Sequence, residues 1–192
     1  MDTAKLREDL VFSATLRGHS LTFHSTWGVF NPKSVDAGSS LLVEHLEVAQ
    51  DATCLDLGCG YGPVGLTLAC LAPLGQVHLV DRDFVAVEYA RQNAQRNGLG
   101  HCQVYLSNAF SHVPADLRFD LVASNLPAKV GNEMLTLILS DTWHRLNPGG
   151  YFYVVTVAGL KDYIKRNFRT VFGNYEKIRQ GGTYTVARAV KE

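Results

Sequence analysis

The sequence predicts an α/β, Rossmann-like fold: a seven-stranded, mostly parallel sheet with helices on both faces and an antiparallel hairpin at its end. Three observations carry this reading. From Thr53 onward, short apolar runs alternate with helix-length segments, and repeated strand–helix units need right-handed crossovers that lay the strands parallel. A glycine-dense turn, Gly58-Cys59-Gly60-Tyr61-Gly62, joins the first of these strands to its helix. Near the end, Gly181-Gly182 separates two strand-like runs, which is a hairpin signal.

Taken in order, Leu10 to Leu16 and Ser20 to Phe23 read as a strand pair around Arg17-Gly18-His19. A loop from Trp27 to Ser40 precedes a helix over Leu41 to Leu46, whose apolar face is Leu41, Leu42, Val43 and Leu46. Strand one, Thr53 to Leu57, feeds a helix from Pro63 to about Leu71; proline suits the first helical turn because its missing N–H is unpaired there anyway. Strand two, Gln76 to Asp81, leads to a helix from about Phe84 to Asn97, stopped by Gly98. Strand three is Cys102 to Ser107. Strand four is Phe119 to Ser124, followed by a helix from about Glu133 to Leu146 that Asn147-Pro148-Gly149-Gly150 ends. Strand five, Tyr151 to Ala158, is nearly continuously apolar and so buried on both faces. A last helix, about Lys161 to Phe172, precedes the hairpin runs Glu176 to Gln180 and Thr183 to Val190. No repeat or low-complexity linker interrupts the chain, so one domain is expected over 1–192. Residues 1–50 supply the strand pair, loop and first helix, and 51–192 the ligand-binding core.

The glycine turn is the most informative stretch. Three glycines at alternate positions let the backbone fold tightly and approach a ligand that any Cβ would obstruct. The helix start beyond offers free N–H groups and partial positive charge, a site for a carboxylate or phosphate. A nucleotide-like ligand is therefore expected. The order Gly58-x-Gly60-x-Gly62, with Asp56 on the strand just before it, differs from the dinucleotide fingerprint G-x-G-x-x-G. It resembles the first motif of class I S-adenosylmethionine-dependent methyltransferases. Asp81 ends the next strand, where such folds grip a ribose; alone, an acid there reads equally well as a helix cap.

Strand four ends in Ser124-Asn125-Leu126-Pro127-Ala128. In an open α/β sheet, ligands bind beyond the carboxyl ends of the strands. The turn after strand four lies beside the turn after strand one, so Asn125 should face the ligand. An Asn side-chain oxygen and an adjacent backbone carbonyl can accept both hydrogens of an exocyclic amine. That localises its lone pair and aims it, which is catalysis by orientation and electrostatics without a strong base or metal. The plainer alternative is that Asn-x-Pro only makes a turn.

Over nearly its whole length the chain resembles the methyltransferase small domain, as in the catalytic half of bacterial small-subunit rRNA guanine-N2 methyltransferases. The resemblance rests on Gly28-Val29-Phe30, Val35-Asp36-x-Gly38-Ser39, the glycine motif, Asp81, Ser107-Asn108, Ser124-Asn125-x-Pro127, Val171-Phe172-Gly173-Asn174 and Gly181-Gly182 with Tyr184. It implies the class I fold, whose sheet ends in the antiparallel hairpin already read from the sequence. It implies S-adenosylmethionine as methyl donor, S-adenosylhomocysteine as product, and an amino nitrogen of RNA, in rRNA a guanine, as acceptor. By position, Asp56, Gly58, Cys59, Gly60 and Gly62 would line the methionine end, Asp81 would hold the ribose, and Asn108 with Ala109 would sit near the adenine. Asn125, Leu126 and Pro127 would hold the target amine. The chain departs from the family pattern in reading Asn-Leu-Pro-Ala where Asn-Pro-Pro and a bulky residue are usual. Leu126 lacks proline's fixed φ, so a less rigid turn is expected, and Ala128 lacks a side chain to brace a flipped base. Asn108 stands where an acid is common. The alternative acceptors are a protein amide or a small molecule, and a degenerate Asn-Leu-Pro would suit a non-catalytic donor-binding domain.

Composition bounds the rest. Hydrophobic content of 46% and charge of 19% in 192 residues suit a water-soluble globular chain with a sizeable core. No apolar run is long enough to cross a bilayer, and the N-terminus lacks the regions of a signal peptide, so a cytoplasmic, membrane-free protein is expected. Cys54, Cys59, Cys70 and Cys102 show no metal-ligand spacing and read as packed, reduced thiols. The seven histidines pair with no acids at metal-ligand spacing, and no metal is expected. Net charge is zero, yet residues 161–192 carry eight Lys or Arg against three acids, a net of +5. That is either a nucleic-acid footprint or the ordinary solvated face of a last helix and hairpin. Trp27 and Phe30 read as packing residues or as platforms for a base, and Asp36 as a helix cap.

Overall fold

A computed structural model describes residues 3–127 and 131–192. The N-terminal hairpin, β1 (Leu10–Leu16) and β2 (His19–Ser25), forms its own two-stranded sheet. The helix α1 (Ala37–Glu44) leads into the main sheet, which follows as β3 (Thr53–Leu57), α2 (Pro63–Leu71), β4 (Gln76–Asp81), α3 (Phe84–Arg96) and β5 (Cys102–Leu106). Then come β6 (Phe119–Asn125), α4 (Asn132–Arg145), β7 (Leu146–Val157), α5 (Lys161–Val171), β8 (Glu176–Gln180) and β9 (Tyr184–Val190). The seven-stranded sheet has the order β5-β4-β3-β6-β7-β9-β8. Strands β3 to β7 are parallel, and β9 runs antiparallel to both β7 and β8.

The fold is the expected one, and its departures have local causes. α1 begins four residues earlier than its apolar face suggested, because Asp36 caps it by accepting from the Ser39 N–H at 2.9 Å. β7 begins at Leu146 instead of Tyr151. Leu146 already pairs with Phe119, and Asn147-Pro148-Gly149-Gly150 forms an irregularity before pairing resumes at Leu121 opposite Tyr151. In the terminal hairpin, the second strand inserts beside β7 and leaves β8, with Lys177 and Arg179 exposed, at the edge. Charged residues on an exposed edge discourage pairing with other chains.

Two apolar cores sandwich the sheet. One joins α1, α2, α3 and the N-terminal hairpin through Leu42, Leu66, Ala90 and Phe23. The other joins α4 and α5 through Leu139, Ile164, Phe168 and Phe152. The four cysteines are free. Burial pushes the Cys54 and Cys102 thiols up to about 12, so they pack as inert apolar groups. No helix among the described residues is long and apolar enough to cross a membrane.

Candidate active site

The carboxyl ends of β3, β4, β5 and β6 converge on one rim of the sheet, where the sequence placed its candidates. At the tip of β3 the chain turns back on β4: Gly58 and Cys59 donate their N–H groups to the Val80 carbonyl at 2.9 and 3.0 Å. Gly58, Gly60 and Gly62 all take positive φ (80°, 56° and 106°), backbone that L side chains rarely adopt. A Cβ built on Gly58 or Gly60 would meet no protein atom within 4 Å, so both glycines open onto empty space in front of the turn. That is the shape of a backbone cradle for a ligand.

Asp81 stands at the end of β4 and braces this cradle. Its Oδ2 accepts from the Gly60 N–H at 2.9 Å and its Oδ1 from the Asp83 N–H at 3.0 Å. Asp83, not Asp81, caps α3. Asp81 is half-buried and keeps acceptor capacity for a ribose diol. Asp56 is 1% exposed and accepts from the Gly65 N–H at 2.7 Å. The start of α2, read from sequence as open to a ligand carboxylate or phosphate, therefore has one of its N–H groups taken by the protein's own acid. Burial pushes the Asp56 carboxyl up to about 7, with the Asp81 charge adding to the rise and the Gly65 N–H opposing it.

After β5, Ser107 organises the turn: its Oγ donates to the Ala109 carbonyl at 2.6 Å and accepts from the His112 N–H at 3.0 Å. Ala109 sits at φ 49°. Asn108 is exposed, and with Ala109, Phe110, Met134 and Arg145 it borders a cleft of about 300 Å³.

At the tip of β6, Ser124 Oγ donates to the Leu57 carbonyl at 2.7 Å, tying β6 to the start of the glycine turn. Asp56 pairs opposite Ala123, so Asn125 lies two residues on, level with Gly58. Asn125 Nδ2 donates to Asp36 Oδ2 at 2.7 Å and to Ser39 Oγ at 3.0 Å. Both amide hydrogens are used, and the amide oxygen is left to accept from a ligand. Leu126 compensates for the missing proline in a way the sequence did not reveal. Its N–H donates to the Val155 carbonyl at 3.1 Å, a bond proline cannot make, and its side chain is buried in the second core. The expected loss of rigidity is offset by that tether. Pro127 is exposed, and Ala128 lies outside the described residues.

The loop between β2 and α1 borders the same rim. Tyr61, within the glycine turn, donates its hydroxyl to the Ser34 and Asn31 carbonyls at 2.8 and 3.2 Å and holds this loop down. Phe30 is 69% exposed and Trp27 44%, with the Lys33 ammonium over the Trp27 ring, so neither is a core residue. Of the basic C-terminal residues, Arg188 is half-buried and taken up by the protein itself: it bonds Glu47, Glu176 and the Tyr153 hydroxyl. Lys191 Nζ donates to the Leu146 carbonyl. Lys161, Lys165, Arg166 and Arg169 on α5 make no ion pair among the described residues. Asp36, Ser39 and Tyr184 were not read as site residues; only the resemblance around Asp36-x-Gly38-Ser39 and Gly181-Gly182-x-Tyr184 marked them.

The family model of the methyltransferase small domain matches residues 20–188. The chain belongs to this family. Among its relatives, the Bacillus subtilis (strain 168) protein YbxB is 35% identical over 145 residues, covering 75% of this chain and 72% of its own. The ribosomal RNA large subunit methyltransferase G of Shewanella amazonensis is 32% identical, with 90% of this chain aligned to 46% of the relative. Among solved structures, the 16S rRNA N2 G1207 methyltransferase RsmC of T. thermophilus, in complex with AdoMet and guanosine, superposes with a TM-score of 0.86 at 30% identity. That match covers 95% of this chain and 50% of the other. The chain thus spans about half the length of these two rRNA methyltransferases. The matched residues include the cradle of Gly58, Gly60 and Gly62, and the seven-stranded sheet with its antiparallel ending is a Rossmann-like methyltransferase fold.

Proposed function

We propose that this chain is an S-adenosylmethionine-dependent N-methyltransferase that acts on an exocyclic amine, a guanine N2 in rRNA. One observation carries the reading: the Asn125 amide is held by its nitrogen, so that its oxygen stands free at the tip of β6, level with the glycine cradle. The open space before Gly58 and Gly60 fits a ligand lying against backbone. Asp81 gives that space the negative character suited to a cationic donor, and Asp56 adds to it once ionised. Bound there, S-adenosylmethionine would supply an electrophilic methyl group on a sulfonium and leave as S-adenosylhomocysteine.

The chain's own residues do the remaining work. Gly58, Cys59, Gly60 and Gly62 shape the methionine side and Asp56 faces its charge. Asp81 accepts from the ribose hydroxyls, and Asn108 and Ala109 border the adenine side. The Asn125 oxygen and a backbone carbonyl of Asn125-Leu126-Pro127 accept the two amine hydrogens. The nitrogen lone pair is thereby withdrawn from conjugation and directed at the methyl carbon. As the N–C bond forms, positive charge grows on that nitrogen, and these fixed acceptors stabilise it more than they stabilise the neutral amine. The surplus proton then leaves to water.

The guanine acceptor rests on the likeness to an rRNA guanine-N2 enzyme solved with guanosine. The RNA partner is further supported by the cations of α5 that form no ion pair among the described residues; this helix follows β7 through a short 3-10 turn, Ala158–Leu160. An rRNA substrate fits a cytoplasmic enzyme. The test is transfer of labelled methyl from S-adenosylmethionine to protein-free rRNA and to ribosomal subunits. Wild type should label guanine, while Asn125→Ala should retain donor binding in calorimetry and lose turnover. Labelling of protein instead would favour an amide acceptor, and donor binding without any acceptor would leave a non-catalytic domain.

A further inference from the structure

Asp36 does more than cap a helix. It is buried, and its two oxygens take hydrogen bonds from three separate parts of the chain. Oδ2 accepts from the Ser39 N–H at 2.9 Å and from Asn125 Nδ2 at 2.7 Å. Oδ1 accepts from the Tyr184 hydroxyl at 3.1 Å. A capping role needs only the first of these. Gly38 makes the assembly possible, since a Cβ there would lie 3.0 Å from the Tyr184 ring.

We infer that Asp36 is the positioning residue that sets which way the Asn125 amide faces, with Tyr184 holding Asp36 in register. This rests on the reading that Asn125 accepts the target amine. An asparagine side chain presents an acceptor on one side and two donors on the other, and the two orientations are nearly isosteric. Turned over, Asn125 would aim N–H groups at an amine that offers only N–H groups, and its oxygen would meet the Asp36 carboxylate. Asp36 accepts and cannot donate when ionised, so it admits one orientation. Ser39 cannot impose this alone, because a hydroxyl donates or accepts as required. The selection is made before any ligand arrives, which spares the reaction that reorganisation.

Two variants separate positioning from capping. Asp36→Ser keeps a good helix cap but is too short to reach both Asn125 and Tyr184. Asp36→Asn keeps both roles, because the Ser39 N–H requires an acceptor in the Oδ2 place and so holds the new amide with its oxygen toward Asn125, while its NH2 faces the Tyr184 hydroxyl, which can turn to accept. With Asp36→Ser, kcat should fall about 10- to 100-fold at unchanged donor Kd, as for a misaimed reacting group, alongside the lower thermal midpoint expected from the lost Asn125 and Tyr184 bonds. Asp36→Asn should recover most of that loss. The side-chain amide protons of Asn125 give a readout independent of turnover. Their pair, identified by its absence from the ¹⁵N–¹H spectrum of Asn125→Ala, should shift in Asp36→Ser and stay near its wild-type place in Asp36→Asn. Wild-type kcat in Asp36→Ser, alongside an inactive Asn125→Ala, would overturn the positioning role and leave the site reading intact. Full turnover in Asn125→Ala would overturn the site reading itself. If no acceptor is turned over, an Asn125 amide pair unmoved in Asp36→Ser would overturn the inference alone.

Discussion

The side chain of Asn93 completes both backbone hydrogen bonds of His24: its Oδ1 accepts from the His24 N–H and its Nδ2 donates to the His24 carbonyl, each at 2.9 Å. One turn on, Asn97 does the same for Thr22 at 2.9 and 2.8 Å. Two asparagines four apart, one on α3 and one at its C-cap, thus act as a short surrogate strand along the open edge of β2. Asn93 Nδ2 also donates to the Tyr61 carbonyl at 3.0 Å, so the hairpin is joined through it to the glycine turn. Because Asn93 is fully buried, Asn93→Ala leaves three backbone groups without partners, and a loss of about 2–4 kcal/mol is expected in urea denaturation. Donor affinity should fall with it, since Tyr61 is part of the turn.

Asp56 makes donor binding depend on pH. Its carboxyl is raised from 3.8 to about 7, so the folded, ligand-free protein holds a proton there that the unfolded chain releases much earlier. The stability this contributes is full below the unfolded value and is lost as pH rises through the folded one. A cationic ammonium placed beside Asp56 favours its charged form, so binding expels the proton. Calorimetry should show affinity for S-adenosylmethionine rising from pH 6 to 8 by up to about tenfold per unit below the Asp56 midpoint. Asp56→Asn should flatten the profile.

His78 acts on stability in the opposite sense. It is buried in β4 with Nε2 unpartnered and Nδ1 3.3 Å from the Tyr105 hydroxyl, and burial lowers its pKa below 6.5. The unfolded chain takes up the proton first, so stability is intact above 6.5 and falls as pH drops from there toward the folded value. Urea midpoints across that range should show the decline, and His78→Leu should remove that part of it.

The cations of α5 and the terminal hairpin should divide into two groups. Replacing Lys165 and Arg169 by alanine should weaken RNA binding and lower the salt slope by about one for each cation removed, at unchanged stability. Arg188→Ala should leave the salt slope alone and lower the thermal midpoint, because its partners are Glu47, Glu176 and Tyr153.

Leu126→Pro would restore the family's usual residue and remove the N–H that Val155 accepts. It also deletes a buried leucine side chain. A net destabilisation of about 1–3 kcal/mol is expected in thermal or urea melts, so proline should not improve this turn in its present surroundings.

What was legible in the sequence was local. The helix α2 follows from Pro63 and the glycines before it, and the end of α3 from Gly98, because those signals sit within a few residues of their effect. The apolar face places the start of α1 four residues late because Ala37-Gly38-Ser39-Ser40 has little helical propensity, although Asp36, which sets it, reads as a cap. The irregular opening of β7 was missed because Pro148 and two glycines read as a stop, whereas the Gly149 N–H finds the Lys191 carbonyl at 2.7 Å. The orientation of Asn125 could not be read at all. Its determinant, Asp36, lies 89 positions away and acquires that role only when the chain is folded.

Asp36 and Tyr184 are separated by 148 positions, and β9 must slot between β7 and β8 before they meet. During synthesis, the glycine turn and β6 can assemble while the last strand is still emerging, since chains fold from the N-terminal side first. A nascent chain stopped before Tyr184 would carry the glycine cradle, Asp81 and Asn125 itself, yet Asp36 would lack one of its anchors. On the positioning role inferred for Asp36, the last anchor of the Asn125 orientation therefore arrives with the closing strand, after every other part of that network is already in the chain.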